Sequence, residues 1–323
     1  MANPVNISQE RWNSETYLTI PKEKGCLCRP VIIDIRKTYF GIFPKERDSA
    51  SRDVDLLKRT FKQLGFLEPH IISTLDPDSD KYDHPLYSVE NLKRKLVSIA
   101  RSPEFTSDAE IFLLVVLAFG EYGYFYLPNY PISNFQQREP IPAKFSTTLL
   151  MSHFNGNNCR NLALKPKIFL VQTCNAQLAQ KDRSLFMDGI SPPPLATVPI
   201  EADLLLYHSE VSGGYTCKMK KETRESLGSV IDQGDRSEGG DERETQACQF
   251  VYTLYKEVEA LAGQQKDFEL TDLILGVNRS LMEFIDKEHY RSDEDNKPWT
   301  IEPMIPICVD QLTKRLVLRT NLG

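Results

Sequence analysis

Two apolar runs constrain this chain before any other feature. "IFLLVVLAF" (Ile111–Phe119) is apolar at every position, and "KIFLVQTC" (Lys167–Cys174) is unbroken apolar from Ile168 to Val171. Neither approaches the ~20 residues of a membrane-spanning helix. Each has the length of a strand, and a strand apolar at odd and even positions alike is covered on both faces. "RPVIIDI" (Arg29–Ile35) has the same character. Strands of this kind belong to mostly parallel sheets, with helices supplying the cover.

Helical stripes fall between these strands. Val54, Leu57, Phe61 and Leu64 predict a helix from about Arg52 to Leu64, with Ser51 as its cap and Gly65 as its stop. Val89, Leu92, Leu96 and Ile99 predict a second, capped by Ser88. Two more follow late in the chain. One carries Ala247, Val251, Leu254, Val258 and Leu261 and ends at Gly263; the other carries Leu270, Ile274, Val277, Leu281 and Phe284. "EPHIIST" and "EADLLLYHS" read as further strands, "FPKERDSAS" as a loop, and "EPMIPICVDQLTKRLVLR" as a strand or strand pair. The expected class is α/β, with a mostly parallel sheet of about six strands and helices on both faces.

The 323 residues are 41% hydrophobic and 26% charged, enough for a sizeable core. A net charge of -6 gives no reason to expect nucleic acid or an anionic membrane as partner. "MANPVNISQERWNSE" lacks the apolar centre of a signal peptide, so a cytoplasmic location is expected. The cysteines number 7, an odd count at irregular spacing, which argues against a secreted disulfide framework. Cys26 and Cys28 have no second pair at zinc spacing, and no glycine-rich nucleotide motif is present. No metal and no cofactor are expected. Three consecutive prolines in "RSLFMDGISPPPLATVP" (Arg183–Pro199) mark an exposed, extended linker, and Met219–Glu244 reads as a mobile surface insertion.

In parallel α/β sheets, chemistry sits beyond the carboxyl ends of the strands. That directs attention to Phe119-Gly120 and to Cys174. A cysteine there is placed for nucleophilic catalysis if a base lies beside it. It serves equally well as a small apolar core residue.

These segments resemble the caspase family. "KPKIFLVQTCNA" is similar to the family's nucleophile segment, and "LLVVLAFGEYG" to the strand that normally ends Ser-His-Gly. "VPIEADLLLYHS" resembles the start of the small subunit, while "ILGVNRSL" and "IPICVDQLTKRLVL" resemble its last helix and its dimer-forming strand. The resemblance runs from about Tyr17 to Leu318 in family order. It implies a single caspase-like three-layer domain: a short flexible segment (1–20), a large-subunit-like portion (21–188), a linker (189–200) and a small-subunit-like portion (201–323) that carries the insertion (219–244). The short leading segment resembles that of an executioner caspase. The resemblance also implies dimerisation through the strand near Pro306–Leu316, with a second copy or with an active caspase.

Residue by residue, the resemblance places the nucleophile on Cys174 and the oxyanion-hole amides on Gly120 and Cys174. The aspartate pocket falls on Arg47, Gln172 and Tyr215, with Lys218 where a second arginine is usual and Cys217 where a tryptophan is usual. Asp188, in "LFMDG", resembles a cleavage point; the bland alternative is an Asp-Gly turn. The catalytic histidine falls on Phe119. A free thiol, with a pKa of about 8.5, is only a few per cent ionised at neutral pH, and phenylalanine moves no proton. Lysine keeps a positive charge but lacks the fork that suits a carboxylate. Of the five histidines (His70, His84, His153, His208, His289), His208 is the least remote substitute, at the end of the strand that opens the small portion.

The expected function is that of a catalytically crippled caspase homologue, a pseudocaspase, that regulates apoptosis by binding and modulating an active caspase. A weakly active cysteine endopeptidase cutting after Asp is the alternative. A scaffold that recruits proteins through the insertion is a third reading.

Overall fold

The computed structural model describes residues 15–17, 27–40, 43–47, 49–76, 78, 81, 83–121, 123–128, 142–174, 202–211, 247–264, 267–294 and 306–318. In chain order the strands are β1 (Val31–Asp34), β2 (Lys37–Phe40), β3 (Phe43–Glu46), β4 (His70–Ser73), β5 (Phe112–Glu121), β6 (Tyr124–Tyr126), β7 (Lys144–Ser146), β8 (Lys167–Cys174), β9 (Leu204–Val211), β10 (Phe268–Glu269), β11 (Ile307–Asp310) and β12 (Val317–Leu318). The helices are α1 (Ala50–Gln63), α2 (Val89–Arg101), α3 (Thr147–Ser152), α4 (Gln249–Gly263) and α5 (Leu270–Glu294).

The central sheet has the order β11-β9-β8-β5-β1-β4. Neighbours run parallel from β4 to β9, and β11 runs antiparallel to β9. The two apolar runs are its middle strands. Along β5, Leu113, Val115 and Leu117 enter one core, while Phe112, Leu114, Val116 and Ala118 enter the other. Ile168 and Leu170 divide from Phe169 and Val171 in the same way on β8. Period-two alternation of apolar residues thus feeds two cores, one on each face. The stripes of α1, α4 and α5 close the first core, and those of α2 and α3 close the second. This is the three-layer α/β arrangement read from the sequence.

"FPKERDSAS", expected as a loop, holds a strand and the start of a helix. β3 pairs antiparallel with β2 as a separate two-stranded ribbon, in which Tyr39 faces Pro44. Proline is tolerated where the strand has only one partner. α1 begins at Ala50, before the expected start, because Ser49 rather than Ser51 stands at its cap. The Ser49 hydroxyl donates to Asp53 Oδ2 at 2.8 Å instead of bonding to the helix backbone. Gly65 follows the helix with φ +71, the left-handed geometry that glycine adopts cheaply. β6, β7 and α3 were not anticipated. They extend from the end of β5, where Gly120 pairs with Phe125.

Glu15–Tyr17 lie in the leading segment expected to be loose, yet they are tied down: Thr16 bridges to Arg315, and Tyr17 is buried. Residues 189–200 and 219–244 lie outside the described residues.

Candidate functional site

β5 and β8 are in register from Phe112 with Lys167 to Phe119 with Cys174. Their carboxyl ends are therefore level, and Phe119 and Cys174 face each other across the ~4.8 Å that separates adjacent strands. Both are largely covered, at 9% and 8% exposure. With Tyr126 and the half-buried Phe40 they form a small apolar cluster separate from the two main cores. The Phe40 ring meets Phe119 edge-on at 6.3 Å and Tyr126 at 5.6 Å. Such pairs are worth about 0.5–1.5 kcal/mol beyond the area that they bury. Lys45 Nζ stands 5.2 Å from the centre of the Phe40 ring, on its ribbon partner.

Burial pushes the Cys174 thiol above its ordinary range. The Arg47 guanidinium and the Gln172 amide favour the thiolate, but Asp53 opposes them and burial prevails. The sulfur is accordingly protonated at neutral pH. No histidine among the described side chains lies beside it. His70 packs against Phe105 near the far edge of the sheet, His84 bonds Asp76, and His153 bonds the Leu149 carbonyl. His208, expected at the end of its strand, lies within β9, opposite Val171; the residue opposite Cys174 is Val211. Three residues of strand put His208 ~10 Å back along the sheet. Its burial lowers its pKa to about 4. The His289 side chain lies outside the described residues.

Arg47 is entirely enclosed. Its Nη1 donates to Asp34 Oδ1 at 3.1 Å and its Nη2 to Asp53 Oδ2 at 2.7 Å, and none of the three side chains exceeds 1% exposure. Asp34 also accepts from Arg36 Nε at 3.1 Å and from the Ser73 hydroxyl at 3.0 Å. Asp53 Oδ1 accepts the Cys248 backbone N–H at 2.6 Å, which fixes the start of α4. A buried charge must be paired, and here each carboxylate has a guanidinium and at least one further donor. Two buried polar atoms, Arg47 Nε and Gln172 Oε1, have no hydrogen-bond partner among the described residues.

Gly120 follows Phe119 where β5 meets β6 and β8 at once. A Cβ there would lie 2.5 Å from the Tyr124 carbonyl oxygen and 2.7 Å from Thr173 Cγ2. Glycine is thus demanded by packing, whatever its backbone N–H does. Tyr215, Lys218, Cys217 and Asp188 lie outside the described residues. Sequence reasoning missed Asp34 and Asp53. The available signal was the lone acidic residue in "RPVIIDI", Asp34: a carboxylate in a doubly covered strand requires a buried cation. Among the described residues no group of three or more His, Cys, Asp or Glu side chains is arranged to hold a metal ion. Among the described residues no helix is long and apolar enough to cross a membrane.

The chain is 25% identical over 276 residues to caspase-7 of Gallus gallus, covering 84% of this chain and 70% of that one. It is 24% identical over 318 residues to caspase-6 of Rattus norvegicus, covering 94% and 91%. The solved structure of pro-sf-caspase-1 superposes with a TM-score of 0.59 at 21% identity, over 94% of this chain and 98% of that one. At that identity the superposition establishes the fold. The family model "Caspase domain" matches residues 31–305, spanning both strands of the Phe119–Cys174 pair, and the chain belongs to the caspase family.

Proposed function

We propose that this chain is a pseudocaspase, which regulates apoptosis in the cytoplasm by binding and modulating an active caspase. The observation that carries the reading is Phe119 set opposite Cys174 at the level carboxyl ends of β5 and β8. Hydrolysis by a thiol needs an acceptor for its proton and a donor for the leaving amine. Phe119 supplies neither, and burial holds the Cys174 proton in place. Loss of a general acid–base group costs about 10²–10⁴ in rate.

In this reading Cys174 is a vestigial nucleophile and Gly120 a remnant of the oxyanion hole. Arg47, Gln172, Tyr215 and Lys218 descend from an aspartate pocket. The engagement of Arg47 with Asp34 and Asp53 supports this, because an incoming carboxylate would have to displace or share them. Asp188, before linker 189–200, is the point at which an active caspase would cut between the two portions.

Dimers are the usual state in the caspase family, and the docking surface proposed here is β11. It stands at one end of the central sheet, paired with β9, with Ile307 and Cys308 exposed. Strand edges of this kind recruit a further strand. The partner is an active caspase, or a second copy of this chain.

The neighbourhood of Arg47 and Gln172, which both favour the thiolate, supports a second reading: weak endopeptidase activity after Asp. One experiment separates the two. The purified chain is assayed on a fluorogenic peptide ending in Asp, alone and with an active executioner caspase from the same organism. The regulatory reading expects no turnover alone, co-purification with the caspase, and an altered caspase rate. Turnover that disappears in Cys174→Ala replaces it with the endopeptidase reading. Absence of both co-purification and any change in rate refutes the regulatory role.

A further inference from the structure

We infer that the leading segment of the chain is a clasp that orders the exit of edge strand β11, through the carboxylate of Asp203. For docking, the inference rests on β11 being the proposed partner edge; the clasp itself does not.

Asp203 is the residue just before β9, and its backbone is left-handed, with φ +69. A non-glycine residue there is held by its surroundings, and its partners are on the page. Its N–H donates to the Gln311 carbonyl at 2.9 Å, and its carbonyl accepts the Lys167 N–H at 2.8 Å. Its Oδ1 accepts the Tyr17 hydroxyl at 2.6 Å and the Thr313 hydroxyl. The Tyr17 oxygen in turn accepts the Thr313 N–H at 3.1 Å. Two backbone bonds complete the join: Tyr17 N–H to the Arg315 carbonyl and Arg315 N–H to the Glu15 carbonyl, both 3.0 Å.

The segment leaving β11 is therefore held from two sides. Gln311 is fixed by Asp203 and by the Leu204 carbonyl, which accepts its N–H at 2.8 Å. Thr313 and Arg315 are fixed by Glu15–Tyr17. Tyr17 is buried at 7% exposure and Asp203 at 2%, so the hydroxyl–carboxylate bond is sheltered from water and correspondingly strong. An edge strand whose exit is pinned loses less conformational freedom when a partner docks, and association gains by that difference.

The sequence leaves the join between clasp and core without a site for one class of enzyme. The stretch that joins Tyr17 to the core holds no aspartate before Asp34, inside β1. No bond between Tyr17 and β1 therefore suits a protease that cuts after aspartate.

The test compares the full chain with Tyr17→Phe, with Asp203→Asn and with a deletion of residues 1–17, by amide hydrogen exchange. Loss of protection at Thr313 and Arg315 is expected in the deletion simply because their acceptors are gone. The informative amides are Gln311 and those of β11 bonded to β9. Tyr17→Phe should speed their exchange about tenfold or more, as befits loss of a hydrogen bond to a charged group. The β1–β5–β8 ladder should stay protected, which shows that the variant is folded. Unchanged exchange at Gln311 and β11 in both Tyr17→Phe and the deletion overturns the clasp. Association with the active caspase is then measured for the same proteins. Weaker association in Tyr17→Phe supports coupling of clasp to docking, and unchanged association refutes that coupling. If the full chain binds neither the caspase nor itself, the docking reading has failed, and the exchange data still decide the clasp.

Discussion

Replacing Arg47 by methionine tests whether this arginine serves the fold or a ligand. Its side chain is wholly enclosed, and the change leaves Asp34 and Asp53 buried without it. Asp34 keeps Arg36 and the Ser73 hydroxyl. Asp53 keeps only neutral donors, the Ser49 hydroxyl and the Cys248 N–H. The cost is therefore that of one buried carboxylate stripped of its cation, about 3–5 kcal/mol. Unfolding entropy of about 2.1 cal/mol/K per residue over 323 residues converts this to a fall in Tm of about 6 °C. Differential scanning calorimetry reads it directly. Asp53→Asn in the Arg47→Met background should recover part of the loss, because asparagine still accepts the Cys248 N–H and carries no charge. A variant as stable as the parent, or more stable, would refute the reasoning. That outcome is typical of a residue retained for ligand binding at the expense of the fold, and it would revive an aspartate-binding role for Arg47.

His208 has a folded pKa of about 4 against an ordinary 6.5. Between these values the unfolded chain takes up a proton that the folded chain refuses. Stability is thus full above pH 6.5 and falls as pH drops toward 4, by about 3 kcal/mol. His208→Phe should flatten that part of the stability–pH curve measured in urea, and an unchanged slope would rule His208 out. Gly120→Ala places a methyl group against Tyr124 and Thr173 and should cost about 1–3 kcal/mol in the same assay; a neutral result would show that the β5–β6 junction yields easily. Alkylation of Cys174 by iodoacetamide, followed by mass spectrometry, should be slower at pH 7.5 than for a free thiol and rise with pH. Phe119→His should accelerate it at least tenfold, and equal rates would mean that a histidine at position 119 does not reach the sulfur.

The sheet was legible because burial on both faces leaves an unbroken apolar run, and the covering helices because their stripes repeat at helical spacing. The β2–β3 ribbon was not legible. Pro44, Lys45 and Glu46 lack any apolar alternation, and only pairing with Lys37–Phe40 makes the segment a strand. β6 and β7, at three residues each, are too short to show a period. At the candidate site, resemblance of motifs pointed to Phe119, Gly120 and Cys174, and strand register sets the first and last side by side. The enclosure of Arg47 escaped notice because its partners, Asp34 and Asp53, lie 13 and 6 residues away along the chain. Only the turn from β1 through the ribbon into α1 makes them neighbours. The rings of Phe40 and Tyr126 meet beside Cys174 from separate ribbons, β2–β3 and β6–β7.

β8 and β9 are consecutive strands of the described sheet, matched at every position from Lys167 with Leu204 to Cys174 with Val211. Asp53 adds a second tie, from α1 to the first turn of α4. Neither join uses the peptide chain between Cys174 and Leu204. Severing that chain would change the number of covalent pieces and leave the particle intact. Such a nicked molecule should migrate as one species on a native gel and as two fragments in detergent, one ending β8 at Cys174 beside Phe119 and the other entering β9 at Leu204, level with Lys167 at the opposite end of the sheet.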